Sequence, residues 1–270
     1  LKSGTEVGLG FTQEEPLTKI LSEYINSYKD LPKYVYQIQT KFRNEARAKS
    51  GILRGREFLM KDLYSFSRTE QEHEDFYERS KTAYTNVFTR AGIGEQTYLT
   101  YASGGTFSKY SHEFQTLTSA GEDSIHICDT CHIAVNEEII ADVSKCPTCK
   151  GELTRTEKAV EVGNIFPLGT KYATLLGLAY NDERGEKQPV VMGSYGIGLG
   201  RLMGTIVEVF GDDKGLVWPK SVAPFHVHLV SIIGAQSEAV KKEADTLYST
   251  LTGKGIEVLY DDRDIRPGEK

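Results

Sequence analysis

The stretch from Lys41 to Lys61 constrains what this chain can fold into more than any other. Residues 34–42 alternate aromatic or β-branched side chains with polar ones, the period of a strand on a half-covered sheet. Residues 46–51 are small and polar and read as a hairpin loop; residues 52–66 read as the returning strand. Side chains two apart on a strand share a face. Arg43 and Glu45 therefore point one way on the first strand, and Arg54, Arg56 and Phe58 share a face of the second. Antiparallel pairing would gather guanidinium forks, a carboxylate and an aromatic ring on one surface. Those parts hold a nucleoside triphosphate: forks for phosphate oxygens, an acceptor for an exocyclic amine, and a flat apolar partner for a base.

Charge points the same way. The stretch carries seven basic residues (Lys41, Arg43, Arg47, Lys49, Arg54, Arg56, Lys61) against Glu45 and Glu57, in a protein of net charge −6. Overall balance therefore does not advertise a nucleic-acid binder, and polyanion contact has to be local. A solvated basic hairpin is the plainer alternative, and spacing does not separate the two. With 270 residues, 39% of them hydrophobic, the chain exceeds one ordinary domain and can bury a sizeable core. It has no run of about 18 apolar residues and no charged-then-apolar leader, so we expect a soluble, cytoplasmic protein with no membrane partner.

The four cysteines form two C-x-x-C pairs, Cys128 with Cys131 and Cys146 with Cys149. Such pairs fit a tetrahedral thiolate zinc site with no open position, hence a structural ribbon. Two disulfides are the alternative, disfavoured where thiols stay reduced. A redox motif would need only one pair. His126 and His132 flank the first pair but are superfluous to a complete shell.

Elsewhere the patterns are local. Residues 17–28 read as a helix; Thr12, Glu14 and Pro16 before it fit ordinary N-capping chemistry. Residues 69–91 form an amphipathic helix ended by Gly92, residues 95–101 and 111–118 read as strands around a turn at 103–106, and residues 181–187 as a polar hairpin turn. Glycines at 193, 196, 198 and 200 let a strand approach a ligand closely, and a helix from Leu199 places Arg201 in its first turn, where side chain and helix end both suit a polyphosphate. No alternating β-α-β pattern surrounds it, which argues against a dinucleotide loop. After Trp218 the composition changes: strand 226–234, helix 237–251 and strand 256–260 make a β-α-β unit.

F-R-N-E at 42–45 followed by R-G-R-E-F at 54–58 closely resembles motif 2 of the class II aminoacyl-tRNA synthetases. The longer strings around it, with S-H-E-F-Q at 111–115 and E-V-G-N-I-F at 161–166, resemble the prolyl-tRNA synthetases of bacterial type. Asn164 stands where that family usually has histidine. Residues 190–201 resemble motif 3, with Ser194 where cysteine is frequent.

The resemblance implies an α+β fold, an antiparallel sheet flanked by helices. Residues 1–219 would be the catalytic core, with a zinc-ribbon insert at 126–156, and residues 220–270 the opening of an anticodon-binding domain. It implies ATP- and magnesium-dependent activation of L-proline to prolyl-adenylate and transfer to tRNA(Pro). Arg43 would hold the α-phosphate and the substrate carboxylate; Glu45 would accept from the adenine amine and Phe58 stack on the ring; Arg54 and Arg201 would grip the outer phosphates. Glu161 and Asn164 are further candidates for ATP or its magnesium. Thr12 and Glu14 would meet the proline nitrogen, with His112, Phe114, Phe166 and Ser194 as pocket walls; Glu113 also joins the walls of the active site, in a role the sequence leaves open. The family's motif 1 is missing, so the chain reads as part of a longer, homodimeric protein. The gap of about 20 residues between motifs is too short for an editing domain, so no proofreading of alanine is expected within this chain. An adenylate-forming paralogue that charges no tRNA, and a non-catalytic zinc-ribbon module, stay open.

Overall fold

The computed structural model describes residues 2–46, 48–232 and 237–270. Leu1, Arg47 and the end of the 226–234 strand expectation lie outside the described residues. Two compact units emerge, Leu1–Val217 and Trp218–Lys270.

The first unit begins with α1 (Glu14–Leu21), β1 (Lys33–Phe42), β2 (Glu57–Ser67) and α2 (Glu70–Arg90). Then come β3 (Thr97–Ser103), β4 (Tyr110–Leu117), β5 (Asp123–Cys128), β6 (Ile133–Asn136) and β7 (Arg155–Gly169). Helix α3 (Lys171–Leu176), the small hairpin β8 (Ala179–Asn181) and β9 (Lys187–Pro189), β10 (Val191–Gly198) and α4 (Leu199–Phe210) complete it. Among the described residues, eight strands form one sheet in the order β1-β2-β10-β7-β4-β3-β6-β5, antiparallel except where β3 meets β6. β5 also pairs with β7, so β7, β4, β3, β6 and β5 close into a ring around Tyr98, Ile125, Ile127, Ala134 and Ala159. The turn entering β5 permits this closure only through Gly121, where a Cβ would sit 2.4 Å from the Ala159 backbone nitrogen.

Helix α2 starts where the Thr69 hydroxyl accepts from the Glu72 amide at 3.1 Å, and it lies on the back of the sheet with His73, Tyr77, Tyr84 and Phe88 buried. On the front, α1 and α3 pack over Tyr64, Phe66, Leu168 and Met192. Two elements are shorter than their patterns suggest. Helix α1 stops at Leu21 instead of reaching 28, because Asp30 accepts from the Asn26 and Ser27 amides at 3.0 and 2.9 Å and closes a competing polar turn. β2 starts at Glu57 instead of 52. Ser50 and Gly51 take left-handed backbone, at φ 56 and 57, and Gly51–Leu53 forms a 3-10 turn that buries Leu53 against Gly204 of α4.

In the second unit β11 (Val227–Val230) and β12 (Val258–Asp261) run parallel, connected through α5 (Ser237–Gly253). Tyr260 of β12 stacks on Tyr248 of α5 with ring centroids 5.5 Å apart.

Candidate active site

The front of the sheet carries a cavity lined by Arg43, Glu45, Arg54, Phe58, Asn164 and Arg201. Its floor is the glycine-rich strand: a Cβ at Gly196 would lie 2.5 Å from Met60 Cε and 2.8 Å from Asn164 Oδ1. Arg43 lies over the Phe58 ring at 5.2 Å and donates to the Phe11 carbonyl at 3.3 Å. Arg54 Nε donates to Glu45 at 2.9 Å. Arg201, in the first turn of α4, donates to Glu161 Oε2 at 3.0 Å and to the Leu53 carbonyl at 3.1 Å. Asn164 Nδ2 donates to the other Glu161 oxygen at 2.7 Å, so Glu161 is held from both sides.

An adjoining cavity extends past Arg54 and Arg201 to Glu113, Asp123 and Asn136. Burial first, then the Glu161 charge, pushes the Glu113 carboxyl up to about 8. Gln115 Nε2 bridges Glu113 and Asp123 at 2.9 and 2.8 Å.

The basic run divides by partner. Arg43 and Arg54 line the cavity. Lys41 is buried 2.5 Å from Asp62 and is spent on that ion pair. Lys61 faces the back, 3.3 Å from the Tyr84 hydroxyl, where burial brings it down to about 8. Lys49 pairs with Glu122, and Arg56, beyond the cavity lining, donates to the Glu45 carbonyl at 2.9 Å. The expected common face of Arg54, Arg56 and Phe58 therefore holds only in part: Arg54 and Phe58 line the cavity, whereas Arg56, which like Arg54 precedes the strand that begins at Glu57, turns to the Glu45 carbonyl.

A second centre surrounds Glu14, which is only 4% exposed. Its carboxylate accepts from the Thr12 hydroxyl, from Tyr64 OH at 3.4 Å and from Ser194 Oγ at 3.5 Å. Among the described residues no cation pairs with it. A carboxylate held by hydroxyls alone remains electrostatically unbalanced in a buried site. Ser194 stands opposite Phe166 in the ladder, and Phe166 packs on Phe107 at 5.2 Å. Burial first, then Glu14 and Asp62, raises the Tyr64 phenol far above its ordinary range, so it stays a donor. Tyr64 was missed in the sequence, although it shares the alternating face of Phe58 and Met60.

His112 and Phe114 are not walls of this pocket. They point to the back of β4, His112 Nδ1 lying 2.9 Å from the Tyr77 hydroxyl and Phe114 packing on Tyr84 and Phe88 at 5.1 and 5.3 Å. Burial takes His112 down to about 3, so it is a neutral packing group. Glu113, between them, takes the front.

The four cysteine sulfurs lie within 4.8 Å of one another, Cys128 and Cys149 at 3.6 Å. Tetrahedral thiolates on zinc, each at about 2.3 Å, stand about 3.8 Å apart, so the cluster fits that ion. Both pairs are built alike: the Cys128 and Cys146 carbonyls each accept from an amide four residues on, and those residues, His132 and Lys150, take left-handed backbone at φ 52 and 62.

A glycine-rich strand beneath two arginines, a motif 2 hairpin beside it and an arginine opening the next helix define a class II synthetase core, and the chain belongs to that family: the model for the tRNA synthetase class II core domain (G, H, P, S and T) matches residues 2–210. The Proline--tRNA ligase of Rickettsia akari (strain Hartford) is 41% identical over 97% of this chain and 64% of its own length. That of Rickettsia bellii (strain OSU 85-389) is 40% identical over 97% and 63%. The chain thus spans a little under two thirds of these curated relatives. In fold it is similar to the prolyl-tRNA synthetase of Cryptosporidium parvum complexed with L-proline and AMP, with a TM-score of 0.74 at 21% identity, covering 99% of this chain and 49% of that one.

Proposed function

We propose that this chain carries the activation centre of a proline–tRNA ligase. The carrying observation is Glu14: a buried carboxylate with hydroxyl partners only, on the same sheet face as an arginine-lined cavity. The secondary ammonium of proline would supply the missing charge, with Thr12, Tyr64 and Ser194 around it and Phe166 against the ring. The proline carboxylate would attack the α-phosphorus of ATP in line; the bond to the bridging oxygen breaks and pyrophosphate leaves. Arg43 would stabilise the charge that develops on the α-phosphate, Glu45 would accept from the adenine amine, Phe58 would stack on the base, and Arg54 and Arg201 would take the outer phosphates. The prolyl group would then pass to the terminal ribose of tRNA(Pro), releasing AMP.

Glu161 and Glu113 both line the adjoining cavity, and magnesium, which would neutralise phosphate charge, would bind there beside Asn164 once Glu113 gives up its proton to the cation. Zinc in the four-cysteine cluster would hold the ribbon closed. A cytoplasmic location, and a homodimer in the whole protein, accompany this reading through the class. Amino-acid-dependent ATP–pyrophosphate exchange, with proline, alanine, cysteine and histidine side by side and followed by tRNA charging, tests it. Exchange with proline and charging are expected. Exchange without charging would point to an adenylate-forming paralogue, and no exchange with any of the four would refute the proposal.

A further inference from the structure

Glu122, in the turn entering β5, has no part in the assignments above, yet it reaches the pocket. Its Oε2 accepts from Arg54 Nη1 at 2.5 Å, and its Oε1 lies 3.1 Å from Lys49 Nζ. One carboxylate thereby ties together the two residues that bracket the 3-10 turn Gly51–Leu53. The turn carrying Glu122 is itself fixed: Gly121 abuts β7 with no room for a side chain, its amide donates to the Thr118 carbonyl at 3.0 Å, and Lys158 Nζ reaches the Glu122 carbonyl at 3.4 Å. Rigidity of the closed strand ring is thus handed to the Lys49 and Arg54 ends of a loop whose middle, at Leu53, already rests on α4.

Arg54 is gripped from two sides, by Glu45 at Nε and by Glu122 at Nη1. A guanidinium offers five N–H donors in a planar fork. Those two bonds set its plane while leaving Nη2 and one Nη1 hydrogen for an anion. An arginine without such a grip loses its rotamer freedom when it binds phosphate; one held beforehand does not. We propose that Glu122 is a positioning residue for the nucleotide: it orients Arg54 toward the phosphates before they arrive. The proposal rests on the ATP-dependent reading above.

Calorimetric titration with ATP, and separately KM for ATP and for proline in pyrophosphate exchange, tests it on the wild type, Glu122→Gln, Lys49→Ala, Arg54→Ala and the Arg54→Ala/Glu122→Gln pair. Glu122→Gln should weaken ATP about two- to tenfold, the scale of ordering one rotamer-rich side chain on binding. The KM for proline and the thermal midpoint should not move, and Lys49→Ala should have a much smaller effect. In the Arg54→Ala background Glu122→Gln should add nothing. ATP binding as tight or tighter in Glu122→Gln, or its full penalty persisting without Arg54, overturns the proposal. A wild type that binds no ATP would instead bring down the ATP reading, and this proposal with it.

Discussion

Replacing Glu14 by glutamine separates the two things a buried carboxylate does. Glutamine keeps the shape, and its Oε1 can still accept from Tyr64 and Ser194, which lie 3.4 and 3.5 Å away. The charge goes, and the Thr12 hydroxyl, which donates to the other carboxylate oxygen, turns to accept from Nε2. Because that charge is 4% exposed and meets hydroxyls alone, the fold loses little and sheds an unbalanced buried ion; the thermal midpoint should hold or rise. Proline binding should suffer. A hydrogen bond to a charged partner is worth about 1.5–3 kcal/mol net, which at about 1.4 kcal/mol per decade is about a 10- to 150-fold loss in kcat/KM for proline. The KM for ATP should be unchanged, since Arg43, Arg54 and Arg201 are untouched. Pyrophosphate exchange with each substrate varied in turn, alongside differential scanning fluorimetry, reads both effects. Glu14→Gln with near-normal kcat/KM for proline would remove this carboxylate from substrate recognition. A lowered midpoint would show that Glu14 serves the fold.

Arg43→Ala should cut adenylate formation by about 100- to 1,000-fold, the scale of losing one transition-state donor, without unfolding an exposed position; unaltered exchange would refute its role. Cys146→Ser should release zinc, read by a chromogenic chelator, and lower the thermal midpoint, whereas unchanged metal content would exclude the thiolate cluster. Glu113 has a folded value of about 8, above the ordinary 4.5, so the fold favours its protonated form and loses that stability as pH rises between the two values. Glu113→Gln should therefore flatten the fall in thermal midpoint between pH 5 and about 8.5; an identical pH profile would show that Glu113 does not titrate there.

Period and composition were enough to read several parts of this protein. Alternation at 34–42 gave β1, the stripe at 70–90 gave α2, two C-x-x-C pairs announced a cluster, and the glycines of 193–200 marked a strand that must lie close to something. Each is a local signal, because backbone repeat and side-chain chemistry act within a few residues. Tertiary structure decided phase and partner. Alternation at 111–117 says that neighbours face opposite ways but not which face meets α2, so His112 and Phe114 went to the back and Glu113 to the front. A count of basic residues does not say that Lys41 will be consumed by Asp62 or that Arg54 will be held by Glu122, 68 positions away. Nor does the apolar pair Ile52 and Leu53, which fits a strand as well as a turn, reveal that α4 will draw Leu53 out of the ladder. Such choices depend on which distant surface reaches a side chain and on the cost of leaving a charge or an apolar group uncovered, and only the folded chain sets both.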